Sequence, residues 1–122
     1  MASTQSLYHL IQSGEGFSVR PCGLTYVGKG YAVGGAVDCK LFKCANESLS
    51  FISFEEEFKK LQASSCDEHQ VIGGWVDDEG FLYLELSDVV RSLFVAMELA
   101  RARKEKAVYD FANAKSIQLR LC

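Results

Sequence analysis

Val71-Ile72-Gly73-Gly74-Trp75-Val76-Asp77-Asp78-Glu79-Gly80-Phe81-Leu82-Tyr83-Leu84-Glu85-Leu86 reads as two apolar-alternating runs around an acidic turn. Side chains in a strand point alternately to opposite faces, so residues 71–76 and 81–86 predict an antiparallel β-hairpin. Gly80 suits the left-handed position of its short loop, where a Cβ would be strained. On the second strand Leu82, Leu84 and Leu86 share one face, which is expected to be core. Phe81, Tyr83 and Glu85 share the other, an aromatic face that needs an oligomer or a covering segment if it is buried.

Outward from the hairpin, the chain divides into a strand-rich start and a mixed end. Residues 16–21 alternate until Pro21, which lacks a ladder donor. A short apolar run at 24–27, a Gly28-Lys29-Gly30 turn, Tyr31-Ala32-Val33 and a Gly34-Gly35 break before 36–42 predict a meander. Residues 7–11 fit a strand or one helical turn. A helix is expected from Ser53, whose hydroxyl and Glu56 form a capping-box pattern, with Phe54, Phe58 and Leu61 on one stripe and Glu55, Glu56 and Glu57 near the positive end of the dipole. A second helix, capped by Ser87-Asp88 or Ser92, runs to about Lys104. Its inner positions are expected to be Val95, Leu99 and Ala102, with Ala96 and Ala100 allowing close approach and Glu98, Arg101 and Glu105 as solvated ion pairs. Residues 107–111 and 117–121 predict a final strand pair. The expected architecture is one α+β domain, residues 1–122, with an antiparallel sheet of about five or six strands and two helices packed on it.

The 122 residues suit a single domain, and 48% hydrophobic content with one Pro excludes a disordered or collagen-like chain. No apolar run is long enough to span a bilayer, and the start lacks the basic-then-apolar pattern of a signal peptide; a cytoplasmic protein without membrane contact is expected. The net charge of -3 is uneven: residues 1–54 carry +1, residues 55–88 carry -8 and residues 89–122 carry +4. Opposite charges on two regions favour self-association, so a homo-oligomer is expected. A sequence pI of 5.4 argues against long nucleic acids.

Five cysteines at Cys22, Cys39, Cys44, Cys66 and Cys122 make neither an even set nor a repeated spacing, which argues against a disulfide scaffold. Cys66-Asp67-Glu68-His69 is the nearest approach to a metal pattern, without the paired spacing of a zinc site. The glycine pairs lack the strand-to-helix context of a dinucleotide or phosphate loop, and Asp77, Asp78 and Glu79 lack the spacing of a calcium loop. No metal or cofactor is expected. More informative is a constellation of Trp75, Tyr83 and Tyr109, with Phe111 beside them and Arg91, Arg101 and Arg103 from the following helix. Aromatic faces with guanidinium groups can stack a base and hold a phosphate, or fill an interface. These six residues are the candidate ligand- or partner-binding set, and no catalytic residue is assigned.

Ile72-Gly73-Gly74-Trp75-Val76-Asp77, Gly80 through Ser87, Ala96, Ala100, Ala107-Val108-Tyr109-Asp110-Phe111 and Ile117, with Gly30 through Gly35 as opening strand, resemble small proteins encoded by bacteriophages and prophages. The chain departs from that pattern at Glu85, in place of Asp, and at Glu105, in place of Gln. The resemblance implies a phage accessory protein of α+β type. Together with the absence of a catalytic constellation it leads to an expected function: a non-enzymatic binding protein that sequesters or inhibits a host component, either a defence protein or a small nucleotide signal. The alternatives are a virion or morphogenesis component and a small metal-dependent enzyme using Asp77, Asp78 or Glu85.

Overall fold

The computed structural model describes residues 3–26, 28–36, 42–65 and 69–119. In chain order the elements are α1 (Thr4–Gln12), β1 (Phe17–Val19), β2 (Tyr31–Val33), β3 (Phe42–Ala45), α2 (Phe51–Ser64), β4 (Gln70–Val76), β5 (Phe81–Val90), α3 (Leu93–Ala102), β6 (Ala107–Asp110) and β7 (Lys115–Gln118). The fold is α+β: three helices pack on a seven-stranded antiparallel sheet.

The hairpin is the middle of the sheet. β4 and β5 pair from Gln70↔Asp88 to Val76↔Leu82, and the Gly80 backbone takes the expected positive φ of 85°. β5 extends to Val90, four residues beyond the expected end. Its second edge is shared, with β3 pairing at Phe81–Leu84 and β2 at Asp88–Val90. Glu85 lies between these two described pairings. β1 closes the β4 side, while β6 and β7 extend the β2 side.

The registers are regular, so each face can be followed across the strands. Leu82, Leu84 and Leu86 align with Ile72 of β4 and Val19 of β1, and pack with Leu7 and Ile11 of α1 and Phe54, Phe58 and Leu61 of α2. Val33 of β2 and Val108 of β6 continue the same face and pack against Ala96 and Ala100 of α3. All three helices cover the leucine face. The expected core is thus found, in two adjoining clusters.

Several local expectations are corrected or resolved. Residues 4–12 form a full helix because Ser3 accepts from the Ser6 amide and Leu7 and Ile11, one turn apart, are buried. The cap of α2 is Ser50, accepting from the Ser53 amide at 3.1 Å; Ser53 already lies within the helix, so it cannot head a capping box. The second candidate cap is Ser92, since residues 87–88 remain in β5. On α3 the expected close approach of Ala96 and Ala100 is found and Leu99 packs with them, but Val95 is 49% exposed and Ala102 is exposed. Small alanines let the helix lie close to Val33 and Val108, and that proximity sets its rotation. The final strand pair forms around a turn in which Ala114 has φ 50°, and ends at Gln118. The expected strand material at 37–41, together with Val27, Cys39, Cys66 and Cys122, lies outside the described residues. No helix among the described residues is long and apolar enough to cross a membrane.

Candidate functional site: the helix-free face of the sheet

With the helices on one side, alternation sends Tyr83, Glu85 and Ser87 of β5 to the other. Beside them stand Val71, Gly73 and Trp75 of β4, Ala32 of β2 and Tyr109 of β6. A cavity of about 810 Å³ reaches across this face, with Gly73, Trp75, Glu85, Ser87, Glu105 and Tyr109 in its lining. Its two aromatic margins are built differently.

At the hairpin end, Trp75 is 40% exposed and stacks on its cross-strand neighbour Tyr83, with ring centroids 5.1 Å apart and planes at 6°. Tyr83 is fixed from behind: its hydroxyl donates to Asp77 Oδ2 at 2.8 Å, and Lys43 Nζ lies 5.1 Å from its ring centroid. Asp77 Oδ1 accepts the amides of Glu79 and Phe81, both at 2.9 Å. The Phe81 amide, aided by the Tyr83 hydroxyl and the Glu79 amide, holds the Asp77 carboxyl below the usual carboxylate range. The acidic turn is therefore a brace for the hairpin and the stacked pair. At the other margin Tyr109 meets Phe111 edge-on at 5.2 Å, and Phe111 in turn lies 4.5 Å from Tyr26.

Between the margins are two carboxyls that the sequence reading did not bring together. A Cβ on Gly34 would lie 2.5 Å from Glu105 Oε1 and 2.6 Å from both Glu85 oxygens, so the two acids converge over that glycine. Burial, reinforced by the Glu105 charge, pushes the Glu85 carboxyl up to about 7, while a hydrogen bond from the Gly35 amide pulls against this. Glu105 was expected in a solvated ion pair with α3. It lies beyond the helix, and Arg101 pairs with Glu98 alone at 2.8 Å. The sequence singles out each residue separately, Glu85 on the aromatic strand face and Glu105 as an ion-pair residue of α3, but no spacing relates the two. Their convergence depends on Gly34, just past the end of β2, lying against side chains from β5 and from the segment after α3, which no local spacing encodes.

The six candidate residues do not form one site. Trp75, Tyr83 and Tyr109 share the helix-free face. Arg91 is exposed at the connection from β5 to α3, and Arg101 is exposed on α3. Arg103, at the end of α3, pairs with Asp88 and donates to the carbonyls of Val33 and Gly34 at 3.2 and 3.1 Å. Asp88 belongs to the leucine face, so this guanidinium ties α3 to β2 and β5. No group of three or more His, Cys, Asp or Glu side chains among the described residues is arranged to hold a metal ion. Comparison with protein-family profiles, with curated proteins and with solved structures found no match, so the helix-free face is interpreted from its own geometry.

Proposed function

We propose that this chain is a small non-enzymatic binding protein that engages its target on the helix-free face of the sheet, as a phage-encoded accessory that sequesters or blocks a host component. The observation that carries this reading is the one-sided placement of the helices. A sheet face with an exposed Trp75 at one margin, an exposed Tyr109 at the other and an open cavity between them has the composition of a recognition surface. Of the two target classes, a host protein is favoured over a nucleotide, because Arg103 is committed to Asp88 and Arg101 to Glu98, leaving no arginine among the described residues between the aromatics to neutralise a phosphate. Self-association is also proposed, through the first turn of α3, where Leu93, Phe94 and Val95 are 40%, 74% and 49% exposed.

The test is expression in a bacterial host, followed by native mass spectrometry of the tagged protein and measurement of phage restriction. The wild type is expected to carry a stoichiometric host protein and to relieve restriction. Trp75→Ala combined with Tyr109→Ala is expected to lose both effects while keeping the circular dichroism of the wild type. A double variant with undiminished effect would remove the helix-free face from the function, and recovery in purified particles would favour the virion reading.

A further inference from the structure

The described lining of the cavity carries one sign of charge. Among the described residues lining it, the charged side chains are Glu85 and Glu105, and none of the four ion pairs formed by described residues includes either. Among the described residues, Arg103, whose stem lies with Glu105 against Gly35, gives its guanidinium to Asp88 on the leucine face, and Lys43 lies over the Phe81 and Tyr83 rings at the hairpin end, 4.8 and 5.1 Å from their centroids.

The space beside the acids is shaped by a missing side chain. Gly73 is the register partner of Glu85, and a Cβ there would meet nothing nearer than the Phe17 carbonyl oxygen at 3.9 Å. A slot therefore runs over Gly73 to the carboxyls, with the Trp75 ring along its margin and Ser18 on the neighbouring strand. Aromatic walls that end in carboxylates complement a long aliphatic stem with a cationic head: the stem covers apolar surface and the head supplies the missing counter-charge. An anion would be repelled, and a neutral stem would leave the acids desolvated without compensation. Both aromatic margins are exposed, so the cation can arrive attached to a larger molecule.

We infer that the slot accepts a lysine or arginine side chain projecting from a partner polypeptide, its head group between Glu85 and Glu105 and its stem over Gly73 beside Trp75. This rests on the helix-free face being the docking surface, and it gives the chemistry of what docks there.

Trp75 is the one tryptophan of the chain, so its fluorescence reports on the slot directly. The probes are acetylated and amidated Ala-Ala-X-Ala-Ala peptides with lysine, arginine, norleucine or glutamate at X, and free spermidine, titrated at low salt. The lysine and arginine peptides are expected to give saturable changes and to bind at least about tenfold tighter than the norleucine peptide, as suits a charge-assisted contact. Gly73→Leu, which fills the slot and keeps both acids, and Glu105→Gln are each expected to weaken the lysine peptide by about tenfold, with Glu79→Gln, outside the cavity, unchanged. Circular dichroism of each variant separates lost binding from lost folding. Equal binding of the norleucine and lysine peptides overturns the cation assignment but leaves the docking face standing. Spermidine binding without lysine-peptide binding overturns the polypeptide source. A signal that changes with protein concentration alone assigns the slot to a second copy of this chain, against the inference. No response to any probe removes both the inference and the docking face.

Discussion

At Glu85 a buried position and a second carboxyl act in the same direction, and the consequence is a measurable cost at neutral pH. Its proton is held to about 7 in the folded chain, against an ordinary value of 4.5. Between these values the folded state binds a proton that the unfolded state has released, so stability falls as pH rises through that window and stays lower above it. After allowance for partial solvent access, the ionised side chain costs about 2 kcal/mol above pH 7. Glu85→Gln, which can still accept from the Gly35 amide, is expected to raise Tm at pH 8 and to leave it unchanged at pH 4. Thermal melts at the two values check this, and an equal gain at both would deny the carboxyl its role. The adjacent glycines separate just as sharply. A Cβ on Gly74 would lie 2.6 Å from Phe17 Cε2 and 3.2 Å from Leu84 Cδ2, on the packed face, whereas one on Gly73 would make only an ordinary contact at 3.9 Å with the Phe17 carbonyl oxygen. Gly74→Ala is expected to cost about 1 to 3 kcal/mol by overpacking. Gly73→Ala should stay within about 0.5 kcal/mol, as surface substitutions do. Urea denaturation of both variants tests the difference.

Among the elements, α2 gives the cleanest contrast between sequence pattern and structure. Ser53 and Glu56 match a capping box, but Ser50 also stands before an apolar residue, and the chain starts its helix one turn earlier so that Phe51 can reach Tyr8, 5.6 Å away between ring centroids. Ser50→Ala is therefore expected to lower stability by about 1 kcal/mol, with Ser53→Ala near neutral; chemical denaturation that ranked them the other way would restore the capping box. The β4–β5 hairpin was legible because alternation and Gly80 act within a few residues of one another. α1 was ambiguous because a nine-residue helix holds only two buried positions, Leu7 and Ile11, too few for a period to show. The close packing of α3 through Ala96 and Ala100 was legible, but Val95 was not, because its apolar side chain reads as core while the helix turns it, with Leu93 and Phe94, outward. Alternation alone places Tyr83 beside Trp75 across the hairpin, whereas Tyr109 reaches the same face only through the β2–β6 pairing. The Glu85–Glu105 meeting was not legible, since it needs Gly34, Glu85 and Glu105 brought together from three separate stretches of the chain, a property of the assembled sheet.

Across the whole molecule one sheet carries two cores of unequal depth, and their difference sets the order in which the structure opens. The first joins α1 and α2 to the leucine strand through Phe54, Phe58, Leu61, Ile72, Leu82, Leu84 and Leu86. The second joins α3 to β2, β6 and β7 mainly through Val33, Ala96, Ala100, Val108 and Leu119. Burial of large side chains contributes about 1.5 to 3 kcal/mol each, and alanine far less, so the first core is the stronger. The two share β5 and the Arg103–Asp88 pair, so the second can loosen while the first holds. Native-state hydrogen exchange is expected to show Val108 and Ile117 amides opening at lower free energy than those of Ile72 and Leu84. Arg103→Ala should widen that gap by about 1 to 3 kcal/mol, because Asp88 loses its ionic partner at the seam while the first core is untouched. Uniform protection across β4 to β7, or a variant that lowers every amide equally, would show one cooperative unit. In that case Tyr109 and Trp75, at opposite margins of the helix-free face, would be held as rigidly to one another as each is to its own core.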